Sequence, residues 1–414
     1  MIFYFLMIRL AALFGHRKAR LMVEGQKQSK EALKHIGKGA VWIHVSSVGE
    51  FEQARPLIER LRKEQPNRRI VLTFFSPSGY ELRKNYDRVD HVLYLPFATR
   101  GNARRFLDAL QPKMAIFVKY EFWPAYLHEL KKRAIPTYSI SAIFRPRQLF
   151  FLPWGKPYLA LLRCFTHIYV QDEASLQLLQ KHGITHCSVV GDTRFDRVRD
   201  ILAALENGDP NRAAKLAPIA AFAEGSERVI VAGSTWPKDE QLLARYIHEH
   251  PDTKLILVPH EIHEKHMHFI FNLLKGRFVR YSSLANLPSP EACRKVVSNA
   301  QVLVIDTIGM LSSIYRYCQV AYIGGGFGVG IHNTIEAAVY GVPVLFGPNY
   351  QHFREAKGLI ASGAARSIKN YKEAEEAFDT ALDQYQEIGA KAAAYVAAET
   401  GATEKIYNEI FIIH

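Results

Sequence analysis

The sequence predicts an α/β protein made of two doubly wound parallel-sheet halves. Three observations predict it. Short β-rich runs alternate with helical periodicity from about residue 40 onward. The alternation pauses once, at residues 203–227, in a stretch rich in Ala and Pro with no strand signal, and then resumes. The length of 414 residues suits two or three domains of ordinary size.

The first segment is MIFYFLMIRLAALF, thirteen apolar residues and Arg9, followed by His16, Arg17, Lys18 and Arg20. A secretory signal places its positive charge first and ends at small residues. Here that order is reversed. The run is also shorter than the roughly 20 residues a spanning helix needs. It suits a helix lying in a membrane interface, its basic flank facing anionic headgroups. The alternative is a helix packed on the domain.

The first βαβ series follows. Predicted strands are Ala40–Val45, Ile70–Phe75, His91–Tyr94, Met114–Val118, Ile135–Ile140, His167–Val170 and Ser188–Val190. Predicted helices are Glu52–Glu64, Pro77–Asn85, Asn102–Leu110, Pro124–Lys132 and Glu173–Lys181. Residues 203–227 read as a linker with a lead-in helix. The second series predicts strands at Val229–Ala232, Lys254–Val258, Phe278–Arg280, Val302–Asp306, Val320–Ile323 and Val342–Phe346. Its helices are expected at Lys238–His250, Ile308–Arg316, Thr334–Tyr340, Phe353–Ser362 and Tyr371–Glu399. The expected domains are 1–205 and 206–414, both Rossmann-like, with ligands bound at the carboxyl ends of the strands in a cleft between them.

Charge is uneven. Residues 1–200 carry 33 Lys+Arg against 17 Asp+Glu, so the whole formal excess of +13 lies in the first half. This implies a polyanionic partner there: nucleic acid, an anionic membrane or a phosphorylated substrate. The four cysteines are scattered, which argues against a disulfide framework and fits a reducing compartment.

Several turns carry chemistry. Ser46-Ser47-Val48-Gly49-Glu50 lies between the first strand and its helix. Gly49 allows an unusual backbone angle or close ligand approach. Glu50 is either a helix-start carboxylate or a general base. Ser76-Pro77-Ser78-Gly79 offers hydroxyls and N–H groups to an anion, or is a simple N-cap. Lys119-Tyr120-Glu121-Phe122-Trp123-Pro124 is a charged, aromatic cluster after a buried strand, either a site or a lid over the core. Arg194 either holds an anion or pairs with Asp192 or Asp196.

In the second half, Gly233-Ser234-Thr235 is placed like a phosphate-binding turn. PHEIHEKHMH brings His260, His263, His266 and His268 close in sequence. The spacing is not that of a zinc motif, so a ligand-lining or surface helix is expected rather than a metal site. Gly324-Gly325-Gly326-Phe327-Gly328-Val329-Gly330 satisfies neither the dinucleotide fingerprint nor the Walker loop. It leads into Ile331-His332-Asn333-Thr334-Ile335-Glu336, where a helix start suits a phosphate. Glu336 either binds ribose hydroxyls or completes a capping box with Asn333.

One ordered set resembles a known family. Ser47-Val48-Gly49-Glu50, Tyr120-Glu121-Phe122-Trp123-Pro124, Asp306-Thr307-Ile308-Gly309, Gly324-Gly325, His332-Asn333 with Glu336, and Gly347-Pro348 resemble the 3-deoxy-D-manno-octulosonic acid (Kdo) transferases of Gram-negative bacteria. The resemblance runs from about Trp42 to about Ala365. It implies a GT-B glycosyltransferase that moves Kdo from CMP-Kdo to a lipid A precursor, inverting the anomeric centre and releasing CMP. It implies Glu50 as general base and Glu121 as a second carboxylate of that site. Ser47, Gly49, Ser76, Ser78, Gly79 and Arg194 are then acceptor-side or Kdo-carboxylate contacts. Ser234, His260, Gly309, Gly325, His332, Asn333 and Glu336 become the donor site. No cofactor or metal is implied.

The resemblance further implies work at the cytoplasmic face of the inner membrane, as a peripheral or monotopic protein, with no nucleic-acid partner. Three positions depart from the family pattern. Ile331 stands for a second glycine, Thr334 for a proline, and Pro259-His260-Glu261 for an Arg-His-Pro run. The rival readings are another GT-B nucleotide-sugar enzyme, such as a UDP-sugar transferase or epimerase, and a basic membrane- or nucleic-acid-binding module.

Overall fold

The computed structural model describes residues 2–206, 208, 210–284, 287 and 289–412, with only the backbone for residues 2–6, 206 and 290. Met1, the first residue of the expected interfacial segment, lies outside the described residues.

The chain forms two compact units. The first comprises Met1–Arg197 and Glu399–His414, and the second Val198–Ala398. The expected boundary at 205/206 is therefore displaced to 197/198. The end of the expected second domain returns to the first unit. The cause is the helix Ala402–Phe411, which buries Ile406, Tyr407 and Ile410 in the first unit's core. Asp196 holds its start: Oδ1 accepts from the Gly401 amide at 2.6 Å and Oδ2 from the Thr403 amide at 2.7 Å.

The first sheet contains β1 (Val41–Val45), β2 (Ile70–Phe74), β3 (His91–Tyr94), β4 (Met114–Val118), β5 (Thr137–Ala142), β6 (His167–Val170) and β7 (Cys187–Val189). All pairings are parallel, in the order β3-β2-β1-β4-β5-β6-β7. Both faces are covered, so strands read as continuous apolar runs. Period-two alternation sends Val41, Ile43 and Val45 to one core and Trp42 to the other. His44 shares Trp42's face.

The second sheet contains β8 (Val229–Thr235), β9 (Lys254–Pro259), β10 (Phe278–Arg280), β11 (Val302–Val304), β12 (Val320–Ile323), β13 (Val344–Phe346) and β14 (Ala365–Ser367). It too is parallel, in the order β10-β11-β9-β8-β12-β13-β14. Both halves are thus α/β and Rossmann-like. The strand β14 has no counterpart in the sequence reading, because Ala365-Arg366-Ser367 is not an apolar run.

Some expected helices are shorter. Ile308–Arg316 reduces to Leu311–Ile314 with a 3₁₀ turn at Tyr315–Tyr317, and Thr334–Tyr340 to Ile335–Ala338. Tyr371–Glu399 breaks at Gln384 into two helices. The Ala/Pro stretch is largely helical, in Thr193–Glu206 and Pro210–Ala223. All four cysteines are buried and free.

At the N-terminus, helix Ile2–Leu13 turns into helix Arg17–Ala32. The second helix docks on β3. Gly25 lies against the Tyr94 ring, where a Cβ would come within 2.0 Å, and the Tyr94 amide donates to Ser29 Oγ at 2.8 Å. The turn leaves Leu13 and Phe14 79% and 89% exposed. Among the described residues no helix is long and apolar enough to cross a membrane.

Candidate active site

The order of the first sheet reverses at β1, and such a switch point opens a crevice at the strand carboxyl ends. The loops after β2, β1 and β4 meet there. The Ser76 amide donates to the Ser46 carbonyl at 2.8 Å, tying the first two together. Ser47 caps the helix Val48–Glu64, and Glu50 closes the capping box. Glu50 Oε2 accepts from the Ser46 amide at 2.7 Å, the Ser47 amide at 2.9 Å and the Ser47 hydroxyl at 3.2 Å. No hydrogen bond to the other oxygen, Oε1, occurs among the described residues. Glu50 therefore fills the helix-start role and keeps an oxygen for a proton. Gly49 is helical and lacks a positive φ, so of its two expected uses only close approach survives.

Ser76 is an N-cap: its Oγ accepts from the Gly79 amide at 3.2 Å and contacts Ser78 Oγ at 2.8 Å. Gly79 is required by packing, since a Cβ would meet the Phe74 ring at 2.8 Å. Its amide is occupied by Ser76, so the expected anion cradle is reduced to the exposed Ser78 hydroxyl and its neighbour.

Glu121 sits after β4 and is buried. Its Oε2 accepts from His44 Nε2 at 3.0 Å and Trp123 Nε1 at 2.5 Å. Burial alone would raise its pKa, but the His44 hydrogen bond and charge outweigh burial and hold it below the usual range. Burial, and then the Glu121 charge, push Glu50 above that range. The two carboxylates thus have pKa values driven to opposite sides of the usual range. Lys119 beside them adopts φ of 63°, a left-handed conformation that the surrounding structure must hold.

Arg194 pairs with Asp192. Its Nε and guanidinium end lie 2.8 and 2.7 Å from Asp192 Oδ2, while its amide donates to Oδ1 at 3.0 Å. Asp192 is almost wholly buried; against burial, Arg194 holds its pKa below the usual range. Of the expected alternatives, ion pairing is the one observed.

The second unit gathers Ser234, His260 and the glycine run at the carboxyl ends of β8, β9 and β12. Ser234 has φ of 55°. Trp236, His260 and His332 stack, with centroids 4.8 and 4.5 Å apart. Burial, with His260 beside it, lowers the His332 pKa to about 4, so its ring is neutral at physiological pH. Asp239 accepts from the Gly325 amide at 2.9 Å, the Trp236 amide at 2.9 Å and the Tyr322 hydroxyl at 2.7 Å. The Gly325 amide is therefore occupied.

The glycines serve chain crossing. A Cβ on Gly324 would lie 2.3 Å from the Ser234 carbonyl oxygen, and one on Gly326 2.6 Å from Gly347 Cα. Asn333 Nδ2 donates to Glu336 Oε1 at 2.9 Å, and its Oδ1 accepts from the Ile335 amide at 3.3 Å. The helix behind them is a single turn, Ile335–Ala338, so it brings little of a long helix's dipole. Gly309 follows β11 with φ of 94°, beside the exposed Ile308.

The four histidines separate. His260 joins the stack, His263 caps a helix, His266 is buried against Glu240 at 2.8 Å, and His268 faces solvent. Ligand atoms of Glu261, His263 and His266 lie within 4.8 Å of one another. Both His266 nitrogens already hold partners, Glu240 and the Glu261 carbonyl. A cation there would have to displace one of them.

Sequence reasoning passed over His44, Thr73, Trp236 and Asp239. One signal was available: a histidine inside the buried apolar run VWIHV needs a polar partner.

Residues 14–197 match the 3-deoxy-D-manno-octulosonic-acid transferase (kdotransferase) family. The 3-deoxy-D-manno-octulosonic acid transferase of Rickettsia prowazekii is 28% identical over 372 residues, covering 86% of this chain and 74% of that protein. That of Aquifex aeolicus is 27% identical over 352 residues, covering 83% and 86%. Among solved structures, a UDP-GlcNAc 2-epimerase from Neisseria meningitidis aligns with a TM-score of 0.64 at 16% identity, covering 90% of this chain and 99% of that one. At that identity the likeness concerns the fold, which is of the GT-B type. The sequence matches and the ordered motifs agree: the chain is similar to the Kdo transferases, in its first half by the family model and over most of its length by these relatives.

Proposed function

We propose that this protein is a Kdo transferase of lipopolysaccharide biosynthesis, which takes Kdo from CMP-Kdo and delivers it to a sugar hydroxyl of a lipid A precursor. The observation that carries the reading is the carboxylate pair. Glu50 Oε1 accepts the acceptor hydroxyl's proton. The hydroxyl oxygen bonds to the anomeric carbon from the face opposite the departing phosphate, and the configuration inverts. The bond to CMP breaks with its electrons on the phosphate. That phosphate leaves as a stable anion and needs hydrogen-bond donors more than an acid. Ser234 and Asn333 are assigned to the donor, with Glu336 on ribose hydroxyls. His332, neutral at physiological pH, is assigned a stacking or hydrogen-bonding role rather than that of a cation.

The exposed Leu13 and Phe14, followed by Arg17, Lys18 and Arg20, support contact with an anionic membrane such as the cytoplasmic face of the inner membrane. Each cation near such a surface contributes about 1 kcal/mol.

The test is Glu50→Gln, assayed with CMP-Kdo generated in situ and a tetra-acylated lipid A precursor. Transfer is expected to vanish while CMP binding by calorimetry persists. Retained turnover refutes Glu50 as base. Tight UDP binding without CMP binding refutes the donor.

A further inference from the structure

The strand β1 carries one polar side chain, His44, fully buried among Trp42, Phe117 and Trp123. Pairing in register places it beside Thr73 of β2 and Phe117 of β4. His44 Nδ1 lies 2.8 Å from Thr73 Oγ1, and Nε2 lies 3.0 Å from Glu121 Oε2. Trp42 Nε1 donates to the same Thr73 oxygen at 2.9 Å. An indole N–H only donates, so Thr73 Oγ1 accepts there and turns its own proton elsewhere. The Ile43 carbonyl lies 3.4 Å from Thr73 Oγ1, and His44 Nδ1 lies 3.2 Å from the Thr73 carbonyl as well as 2.8 Å from its hydroxyl. Trp42, Thr73, His44 and Glu121 thus form one hydrogen-bonded chain. A carboxylate only accepts, so Nε2 carries the proton.

We propose that His44, aligned by Thr73, is a positioning residue for transfer that holds the Glu121 carboxylate anionic beside Glu50. The proposal rests on Glu50 as base. Stability does not account for the arrangement. Apolar side chains of similar volume in place of a buried polar pair are often neutral or stabilising, whereas removing one partner alone is harmful. The relay ends instead at the carboxylate whose charge acts on Glu50. The groups facing the pair are His44 from β1, Ser46 and Ser47 from the loop after it, Glu50 from the helix Val48–Glu64, and Tyr120 and Trp123 from the loop after β4.

His44→Leu removes the donor. Glu121 is then left buried with one partner fewer and takes up a proton at higher pH than in the wild type. Its repulsion of Glu50 disappears, and Glu50 becomes a weaker base. The rising limb of kcat/KM against pH should move to lower pH. The plateau should fall roughly tenfold, short of the ~10²–10⁴-fold that loss of a general base produces. His44→Gln, which still donates, should keep the limb near its original position, and Thr73→Val should shift it partway. An unmoved limb in His44→Leu, or equal impairment in His44→Gln, overturns the proposal. Should His44→Leu not fold, Thr73→Val decides alone: an unmoved limb overturns the relay.

A second readout does not depend on Glu50. In His44→Leu, a protonated-carboxyl infrared band should persist to higher pH than in the wild type, and Glu121→Gln, added to it, should abolish that band. Absence of that band overturns the relay, whereas turnover by Glu50→Gln overturns only the base assignment.

Discussion

Asp196→Ala should unlatch the helix Ala402–Phe411. Asp196 is 2% exposed, and its two oxygens accept from Gly401 and Thr403 amides at 2.6 and 2.7 Å. A hydrogen bond to a charged group contributes about 1.5–3 kcal/mol, and a buried N–H left without a partner adds to its loss. Losing two such bonds therefore costs about 3–6 kcal/mol. The helix keeps its apolar contacts through Ile406, Tyr407 and Ile410. The loss is expected first as local opening, before global unfolding. Native-state hydrogen exchange reads it directly. Amides of residues 402–411 should exchange at least 100-fold faster, since 1.4 kcal/mol is a factor of about ten. Asp196→Asn, which keeps one acceptor oxygen, should fall in between. Protection unchanged within threefold in Asp196→Ala would refute the latch.

Glu121→Gln should move the rising limb of kcat/KM to lower pH, because the charge that raises Glu50 is gone; the pH profile of transfer checks it. Gly326→Ala sets a Cβ 2.6 Å from Gly347 Cα, backbone against backbone, and should weaken CMP binding at least tenfold by calorimetry. Asp192→Ala removes a buried carboxylate that partners both Arg194 and Gln53 and should lower stability by about 3–5 kcal/mol in urea. The Asp192 pKa is depressed by folding, so its contribution is present at neutral pH and lost as pH falls through the folded value. Wild type and variant should accordingly converge in strong acid. Leu13→Ser with Phe14→Ser should reduce co-sedimentation with anionic vesicles about tenfold or more without moving Tm, because burying one such side chain contributes about 1.5–3 kcal/mol.

The sheets were legible because buried parallel strands are apolar runs bounded by Gly, Pro and polar turns. His91–Tyr94, Met114–Val118, His167–Val170, Phe278–Arg280 and Val320–Ile323 coincide with the sequence reading residue for residue. The loops bearing Glu50, Ser76 and Glu121 were legible for the same reason, since a turn after a strand is fixed by the strand. Partnership was not. His44 and Glu121 are 77 residues apart, and Gly325 and Asp239 86. No local pattern reports that an amide in a glycine run is already bonded. Nor does helical periodicity in residues 402–411 say which sheet the helix will cover. That depends on Asp196 and on the apolar face of Val48–Glu64, far upstream.

The returning helix also orders events in time. A ribosome delivers residues 1–197 first, with seven strands that can pair as they emerge. The face that Ile406, Tyr407 and Ile410 cover stays open while the whole second unit is made. At synthesis rates of about 5–20 residues per second, some 200 further residues keep it open for roughly 10–40 seconds. Leu57, Leu61 and their neighbours form an apolar surface through that interval. The first unit is thus the earliest to be made and the last to be closed, and a chain that stops short of the helix leaves that surface for chaperones or proteases to find.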